Sequence, residues 1–315
     1  MIDIKWRLEY DKMWLKFKDK EFSSENAFEV IFGRKKFTSK QIKYGSKLIN
    51  LIEDNGLAVH RRADYDQRVR LYRLLNPEKA SNARAIYKNI FERKKAFTLS
   101  AMVKEANISA GWNYLYIKDT AIWFWTNQYR SSDVRHISVF KEDSDGWVSL
   151  FKLFGSAVVA DGTAVTESKE TGEVVSLHTD LDSRRHKRGK NHFQSAEHTI
   201  LEAFKDNDIL SALAVLTVQK NKLDWNLLID IAKNRGLINT LGFSLDCMNL
   251  ESGKGVFSKK MIDRIEKHRQ KEFETIKGLE QSKEMNLAYK PLEKKWNVRC
   301  SQAAAFSKAA LDLVR

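Results

Sequence analysis

The chain has 315 residues, with 55 Lys and Arg against 41 Asp and Glu, which gives a formal net charge of +14. Its hydrophobic content of 43%, with 17 Phe and 8 Trp, is enough for a packed core and excludes global disorder. The charge surplus favours a polyanionic partner such as nucleic acid. No apolar run approaches the roughly 20 residues that a membrane span needs, so we predict no membrane partner.

Targeting signals and metal ligands are not evident in the sequence. The first residues lack a basic region followed by an apolar stretch, which predicts a cytoplasmic protein. Only Cys247 and Cys300 occur, and no Cys or His stands at ligand spacing. This pattern argues against a disulfide scaffold and against a zinc site. We therefore predict no metal and no cofactor.

The first seventeen residues alternate between apolar and polar positions. Ile2, Ile4 and Trp6 begin one face, and Asp3 and Lys5 begin the other. This period of two predicts an N-terminal β-hairpin that turns at residues 11–12. The pair 23–24 then precedes a predicted short helix over residues 25–32, which ends at a glycine, residue 33.

Half of the charge surplus lies between Arg34 and Arg73, a segment that contains eleven Lys and Arg but only four Asp and Glu. Within this segment, Thr38 and Gln41 have the spacing of a capping box, which predicts the start of a helix that ends at residues 55–56. Gly45 on this helix predicts a close approach by another backbone. The apolar positions that we expect to face a core are Ile42, Leu48, Ile49 and Ile52.

Two short strands are predicted after this helix, over residues 57–61 and 68–74. A helix that carries cations at its start, followed by a basic hairpin, is typical of a winged helix that binds duplex DNA. Gln41 is the preferred base reader if capping leaves it free, since Gln suits adenine, and the lysines suit phosphates. The predicted DNA contacts are Lys35, Lys36, Thr38, Ser39, Lys40, Gln41, Lys43, Tyr44 and Lys47 around the helix, and His60, Arg61, Arg62, Arg68 and Arg70 on the hairpin. Arg73 adds a fifth guanidinium to this hairpin.

A linker is predicted at residues 77–82 and a helix over 83–93. A partial repeat of the basic run, helix and paired strands then follows. Residues 91–98 resemble residues 32–38, since both contain an Arg-Lys-Lys run. A helix over 99–106 and paired strands over 113–117 and 121–126 are expected next. A second, degenerate winged helix is therefore one alternative, which would make the chain a replication initiator or another tandem winged-helix protein.

Residues 134–178 have a strand-like pattern, and a basic loop over residues 183–191 follows it. This loop is a candidate second phosphate contact through Arg184, Arg185, Lys187 and Arg188. Gly155-Ser156 and the later Asp180 and Asp182 are similar to the phosphate-binding turn and the Mg²⁺-binding carboxylates of nucleotidyltransferases. The 23 residues between them exceed the roughly ten expected in that superfamily. Transferase chemistry therefore stays a second alternative, and the primary prediction is that the chain is not an enzyme.

The C-terminal part is helical in character, with predicted helices over residues 197–204, 208–218 and 224–234 and a longer helix from Ser258 to about Lys277. The sequence thus predicts an α+β protein with an N-terminal winged helix-turn-helix, a central mixed α/β segment and a helical C-terminal region. The predicted domain boundaries are 1–80, 81–192 and 193–315.

Two helical stretches and the basic segment resemble one known family. Residues 193–203 (Phe-Gln-Ser-Ala-Glu-His-Thr-Ile-Leu-Glu-Ala) and 223–232, together with the winged-helix pattern, resemble AbiEi-type antitoxin regulators. The chain departs from that family where Ala196 and His198 stand in place of Pro and Arg. The resemblance covers about a third of the chain. It implies a transcriptional repressor that binds inverted repeats at its own promoter, with a cognate nucleotidyltransferase-class toxin as partner. A second subunit is the alternative partner.

Overall fold

The computed structural model describes residues 4–92, 98–127, 134–161, 163–166, 174–181, 192–253, 255–276 and 283–300. The helices are α1 (Ile4–Phe17), α2 (Ser24–Phe32), α3 (Ser39–Asp54), α4 (Pro77–Glu92), α5 (Leu99–Ala110), α6 (Lys118–Thr126), α7 (Ser144–Phe154), α8 (Ala196–Lys205), α9 (Ile209–Gln219), α10 (Trp225–Asn234), α11 (Ile238–Ser252), α12 (Lys259–Glu266) and α13 (Lys283–Trp296). The strands are β1 (Phe22–Ser23), β2 (Ala58–Arg62), β3 (Arg70–Leu74), β4 (Tyr114–Tyr116), β5 (Val134–Val139), β6 (Ala157–Ala160), β7 (Thr163–Thr166), β8 (Val174–His178), β9 (Glu274–Ile276) and β10 (Val298–Cys300). The predicted α+β class is confirmed.

The chain forms two compact units. The first comprises Met1–Leu115 and Ser132–Asp182, and the second comprises Tyr116–Ser131 and Ser183–Arg315. The first unit therefore contains both the predicted domain 1–80 and most of the predicted central segment. The second unit contains the predicted C-terminal region and also includes helix α6, which lies in the middle of the sequence.

The predicted N-terminal β-hairpin is wrong, because residues 4–17 form helix α1. Trp6, Tyr10 and Met13 are buried at a spacing of four and three, which is a helical face. Leu8 and Leu15, which the alternation assigned to a buried strand face, are 59% and 78% exposed. The alternating pattern also places large apolar residues at i, i+4 and i+7, so it fits the helical period as well as the strand period of two. Burial of these residues against the other helices favours the helix.

Helices α2 and α3 begin and end where the sequence predicts. Ser23 caps α2, and Gly33 ends it in the left-handed region at φ 65°. Thr38 and Gln41 form the capping box of α3. One hydrophobic core joins α1, α2, α3 and the strands, and its members include Leu48, Ile49, Ile52, Ala58, Tyr72 and Leu74. Ile42 was expected in this core, but it is 45% exposed.

Strands β1, β3 and β2 form a three-stranded antiparallel sheet in that order. The predicted hairpin is thus confirmed, with bounds shifted by one or two residues. In its register, Ala58 lies opposite Leu74 and His60 lies opposite Tyr72. The first unit therefore begins with the element order helix, strand, helix, helix, strand, strand.

The predicted linker at residues 77–82 is wrong, because α4 starts at Pro77. Proline is favoured in the first turn of a helix, where its missing N–H is not needed. The side-chain oxygen of Asn76 accepts hydrogen bonds from the backbone N–H groups of Glu78 and Lys79, at 3.0 and 3.2 Å. These bonds cap α4, and the prolyl residue thus starts a helix here.

The remainder of the first unit is a five-stranded sheet in the order β4-β5-β8-β6-β7, with helices α4, α5 and α7. The predicted run of strands over 134–178 is interrupted by α7, where Trp147, Leu150 and Phe151 are fully buried at helical spacing. The strand predicted over 121–126 is also wrong, since this segment lies in α6. The second hairpin that the tandem winged-helix alternative requires is therefore not formed by these residues.

The second unit is mainly helical, as predicted, and α8, α9 and α10 match their predicted bounds to within two residues. The helix predicted from Ser258 to Lys277 is shorter than expected and ends at Glu266. Beyond it, the Asn239 side chain bonds both the N–H and the C=O of Gln270, at 2.9 and 3.1 Å, which holds that backbone outside a helix. Helix α11 and the parallel pair β9 and β10 are additions that the sequence did not predict.

Candidate nucleic-acid interface

The outer face of α3 carries a stripe of cations directly opposite its buried face. Lys40, Lys43 and Lys47 follow one another at spacings of three and four, and all three are exposed. Leu48, Ile49 and Ile52 occupy the buried side of the same helix. The amphipathic pattern of α3 therefore forces its lysines outward.

The capping box at the start of α3 occupies the residue predicted to read bases. The side-chain carbonyl oxygen of Gln41 accepts hydrogen bonds from the backbone N–H and the hydroxyl of Thr38, at 3.0 and 3.1 Å. A bidentate contact with adenine needs both the oxygen and the amide nitrogen of a glutamine. The Gln41 oxygen and the Thr38 hydroxyl are therefore already used in capping α3, and the DNA contacts predicted for the two residues stay predictions.

Gly45 allows a close approach, although by a ring and not by the backbone that was predicted. A Cβ at residue 45 would lie 2.5 Å from Cε1 of Phe28. The missing side chain thus lets Phe28 of α2 pack directly against α3. This contact fixes the distance between the two helices.

The turn between α2 and α3 adds further candidate residues. Lys35 and Lys36 are exposed there, and Ser39 is the exposed first residue of α3. Tyr44 is 44% exposed, and its ring centroid lies 6.3 Å from that of Phe32. These residues precede or adjoin the lysine stripe in sequence, and their predicted DNA contacts stay predictions.

The hairpin divides its arginines between its two faces, because successive side chains on a strand point in opposite directions. Arg62 lies directly opposite Arg70 in the register. This pair shares its face with Ala58 and Tyr72, the face that packs on the core of α3. Arg62 donates a hydrogen bond to the Gln67 carbonyl oxygen at 3.2 Å. Both arginines are exposed, and so is Arg68 in the hairpin loop.

The opposite face of the hairpin carries guanidiniums that are neutralised by carboxylates. Arg61 makes a two-pronged contact with Glu21, with N–O distances of 2.8 and 2.9 Å, and reaches Asp64 at 3.2 Å. Arg73 binds Asp145 at 2.7 Å. The Arg61 guanidinium is therefore already paired within the chain, and the DNA contact predicted for it stays a prediction.

His60 is also part of an internal cluster and not of the exposed surface. Its Nδ1 lies 2.6 Å from Oε1 of Glu53, at the C-terminal end of α3. Lys152 of α7 donates to the same Glu53 oxygen at 2.7 Å and to the Ala58 carbonyl oxygen at 3.0 Å. Burial opposes ionisation of Glu53, but the bonds and charges of His60 and Lys152 outweigh it and lower the pKa of Glu53 to about 2. This cluster fastens α3 to β2 and α7.

The structure brings together a smaller set of cations than the sequence proposed. Six exposed cations on α3 and the hairpin have no carboxylate partner within the ranges that the structure describes: Lys40, Lys43, Lys47, Arg62, Arg68 and Arg70. Arg184, Arg185, Lys187 and Arg188 lie outside the described residues. The lysine stripe also continues to the exposed Asn50, which the sequence analysis missed. Extending the spacing of Lys40, Lys43 and Lys47 by three residues would have found it.

Two of the residues proposed for transferase chemistry, Gly155 and Asp180, take part in local structure. Gly155 ends α7 in the left-handed region at φ 87°. Asp180 follows β8 and accepts a hydrogen bond from the Ser138 hydroxyl at 2.8 Å. Asp182 lies outside the described residues. The transferase alternative therefore stays a prediction.

Comparison of the chain with family models, curated proteins and solved structures gives no match. The resemblance to AbiEi-type regulators therefore stays a prediction. Among the helices of the described residues, none combines the length and the apolar character that crossing a bilayer requires.

Proposed function

We propose that the chain is a double-stranded DNA-binding protein that uses residues 4–74 as a winged helix. The element order α1-β1-α2-α3-β2-β3 and the sheet order β1-β3-β2 support this proposal. Helix α3 is the recognition helix in the major groove, and the β2–β3 hairpin is the wing beside it. Lys40, Lys43 and Lys47 hold phosphates, and Arg62, Arg68 and Arg70 reach the adjacent backbone or minor groove.

The observation that carries the proposal is the cross-strand pair of Arg62 and Arg70. Like charges directly opposite each other on neighbouring strands destabilise a sheet. On the other face of this hairpin, by contrast, the guanidinium of Arg61 has a carboxylate partner, Glu21. A polyanion that binds both Arg62 and Arg70 removes their repulsion, so the pair is best explained as a phosphate contact.

Salt dependence of binding tests the proposal quantitatively. Six phosphate contacts predict that the logarithm of the binding constant falls with the logarithm of salt concentration at a slope of about −5. The measurement is fluorescence anisotropy of a labelled duplex, titrated with the full chain at several KCl concentrations. Replacing Lys40, Lys43 and Lys47 by alanine is expected to make the slope shallower by about 2.7.

The matched control is Lys88→Ala, which removes an exposed lysine from α4 of the same unit. We expect this variant to bind like the unmodified protein. A slope shallower than about −2 for the unmodified protein contradicts the proposed footprint. An equal loss of slope in Lys88→Ala and in a single α3 variant, Lys43→Ala, contradicts the assignment of the footprint to α3.

We further propose that this DNA binding serves transcriptional repression at the chain's own promoter, with a cognate toxin as the partner of the second unit. The resemblance to AbiEi-type regulators supports this part, which assigns no enzymatic activity. A gel shift with the DNA upstream of the gene, in the presence of excess unrelated duplex, is the test. Equal affinity for upstream and unrelated DNA argues against autorepression while leaving duplex binding intact.

A further inference from the structure

The stripe on α3 does not end with its last lysine. Asn50 lies three residues after Lys47 and seven after Lys43, so it shares their face of the helix. A shallow surface depression runs along this face of α3. Its lining residues are Lys43, Ser46, Lys47, Asn50, Leu51 and Asp54. Asn50 is exposed, and its amide makes no hydrogen bond within the part of the chain that the structure describes.

Asparagine differs from the lysines around it in what it recognises. Its side chain presents one acceptor and two donors in a fixed plane, and this pattern matches the N6 and N7 edge of adenine in the major groove. The lysines present donors on long stems and bind phosphates as point charges. Gln41 has the same chemistry as asparagine, but its oxygen is already occupied by Thr38.

Asn50 lies at the C-terminal end of the row of lysines, so a base contact by Asn50 would adjoin the phosphate contacts proposed for Lys43 and Lys47. Seven residues of helix separate it from Lys43, which is about 10 Å along the axis. This distance corresponds to about three base pairs of a duplex. Asp54, one helical turn after Asn50 on the same face, is acidic, so the row of cations ends before it.

We propose that Asn50 reads an adenine in the major groove and is the specificity-determining residue of α3. This inference rests on the proposed DNA binding. It assigns the lysines to affinity and Asn50 to sequence preference. Loss of a bidentate contact of this kind reduces discrimination against other bases by at least about 5-fold.

The experiment is selection of binding sites from a random duplex library by the full-length protein, followed by sequencing of the enriched DNA. Three proteins are compared: the unmodified chain, Asn50→Ala and Gln41→Ala. We expect the unmodified chain to enrich a motif with an invariant adenine. Asn50→Ala is expected to lose the preference at that one position, by at least about 5-fold, and to keep the rest of the motif.

Gln41→Ala provides the matched comparison, because it removes an amide whose oxygen caps α3. It is expected to lower the melting temperature and to leave the enriched motif unchanged. The circular dichroism spectrum of Asn50→Ala verifies that this variant remains folded, since the residue is exposed.

The outcomes separate this inference from the proposed function. Enrichment of the same motif by Asn50→Ala and the unmodified chain refutes the role of Asn50, while the proposed function stands. Duplex binding without any enriched motif has the same consequence. Absence of duplex binding by the unmodified chain refutes the proposed function itself. Loss of the adenine preference in Gln41→Ala, but not in Asn50→Ala, returns base reading to Gln41.

Discussion

Replacing Glu53 by glutamine removes the negative charge that two basic side chains share at the end of α3. The Glu53 side chain is 12% exposed and that of Lys152 is 9% exposed, so the ion pair is largely shielded from water. Glutamine keeps a similar shape and an oxygen acceptor. The buried ammonium of Lys152 would then lose the charge of this carboxylate, and removing one partner of a buried ion pair is costly.

The magnitude follows from the pKa of Glu53, which the cluster lowers from an ordinary 4.5 to about 2. At 1.36 kcal/mol per pH unit, this lowering corresponds to about 3 kcal/mol of folding free energy. Because the pKa is lower in the folded state, this stability is fully present above pH 4.5. It is lost as the pH falls from 4.5 towards 2.

The assay is urea unfolding of the unmodified chain and of Glu53→Gln between pH 7 and pH 2.5, followed by circular dichroism. We expect Glu53→Gln to be less stable by about 3 kcal/mol at pH 7. The difference should shrink steadily below pH 4.5. Glu142→Gln, which changes an exposed carboxylate of the same unit, is the control and should follow the unmodified chain. Parallel pH profiles for Glu53→Gln and the unmodified chain would refute the reasoning.

Two further predictions concern the hairpin and the second unit. Arg70→Thr relieves the repulsion with Arg62, so it should raise the free energy of unfolding by about 0.5 kcal/mol at low salt while it weakens duplex binding. A double-mutant cycle with Arg62→Thr measures the coupling, and a favourable coupling between the two arginines would contradict the repulsion. Gly242→Ala places a Cβ against the Trp296 ring, so we expect a loss of about 1–3 kcal/mol. Thermal unfolding tests this, and a loss below about 0.5 kcal/mol would show that the ring moves aside at little cost.

Local signals in the sequence predicted the parts of the fold that local interactions determine. The capping box of Thr38 and Gln41 and the glycine that ends α2 need only residues within one turn of the helix end. The β2–β3 hairpin is likewise built from neighbouring residues. The failure at α1 has a different origin, because its alternation of apolar residues fits two periods. Packing against α2 and α3, which are distant from Trp6 in sequence, determines that this segment is a helix and not a strand.

The sequence did not predict that two arginines of the hairpin form ion pairs with distant residues. Arg61 binds Glu21, 40 residues away, and Arg73 binds Asp145, 72 residues away. No spacing rule identifies such partners in a single sequence. The alternation of side chains along a strand, however, depends on residue position alone, and it separates Arg61 and Arg73 from Arg62 and Arg70. Treating the hairpin as one basic surface overlooked this division.

The cations that remain after internal ion pairing are therefore a more selective guide to function than the total charge. Arg61, Arg73 and Lys152 each neutralise a carboxylate and hold elements of the first unit together. The exposed lysines of α3 and the pair of Arg62 and Arg70 contribute no such contact among the described residues, and we expect the like charges of the pair to oppose folding. Meanwhile α3 is capped at its start by Thr38 and fastened at its end by Glu53, so the binding proposed for its outer face would cost little backbone entropy. A rigid helix that presents uncompensated cations has the properties that binding a regular polyanion requires.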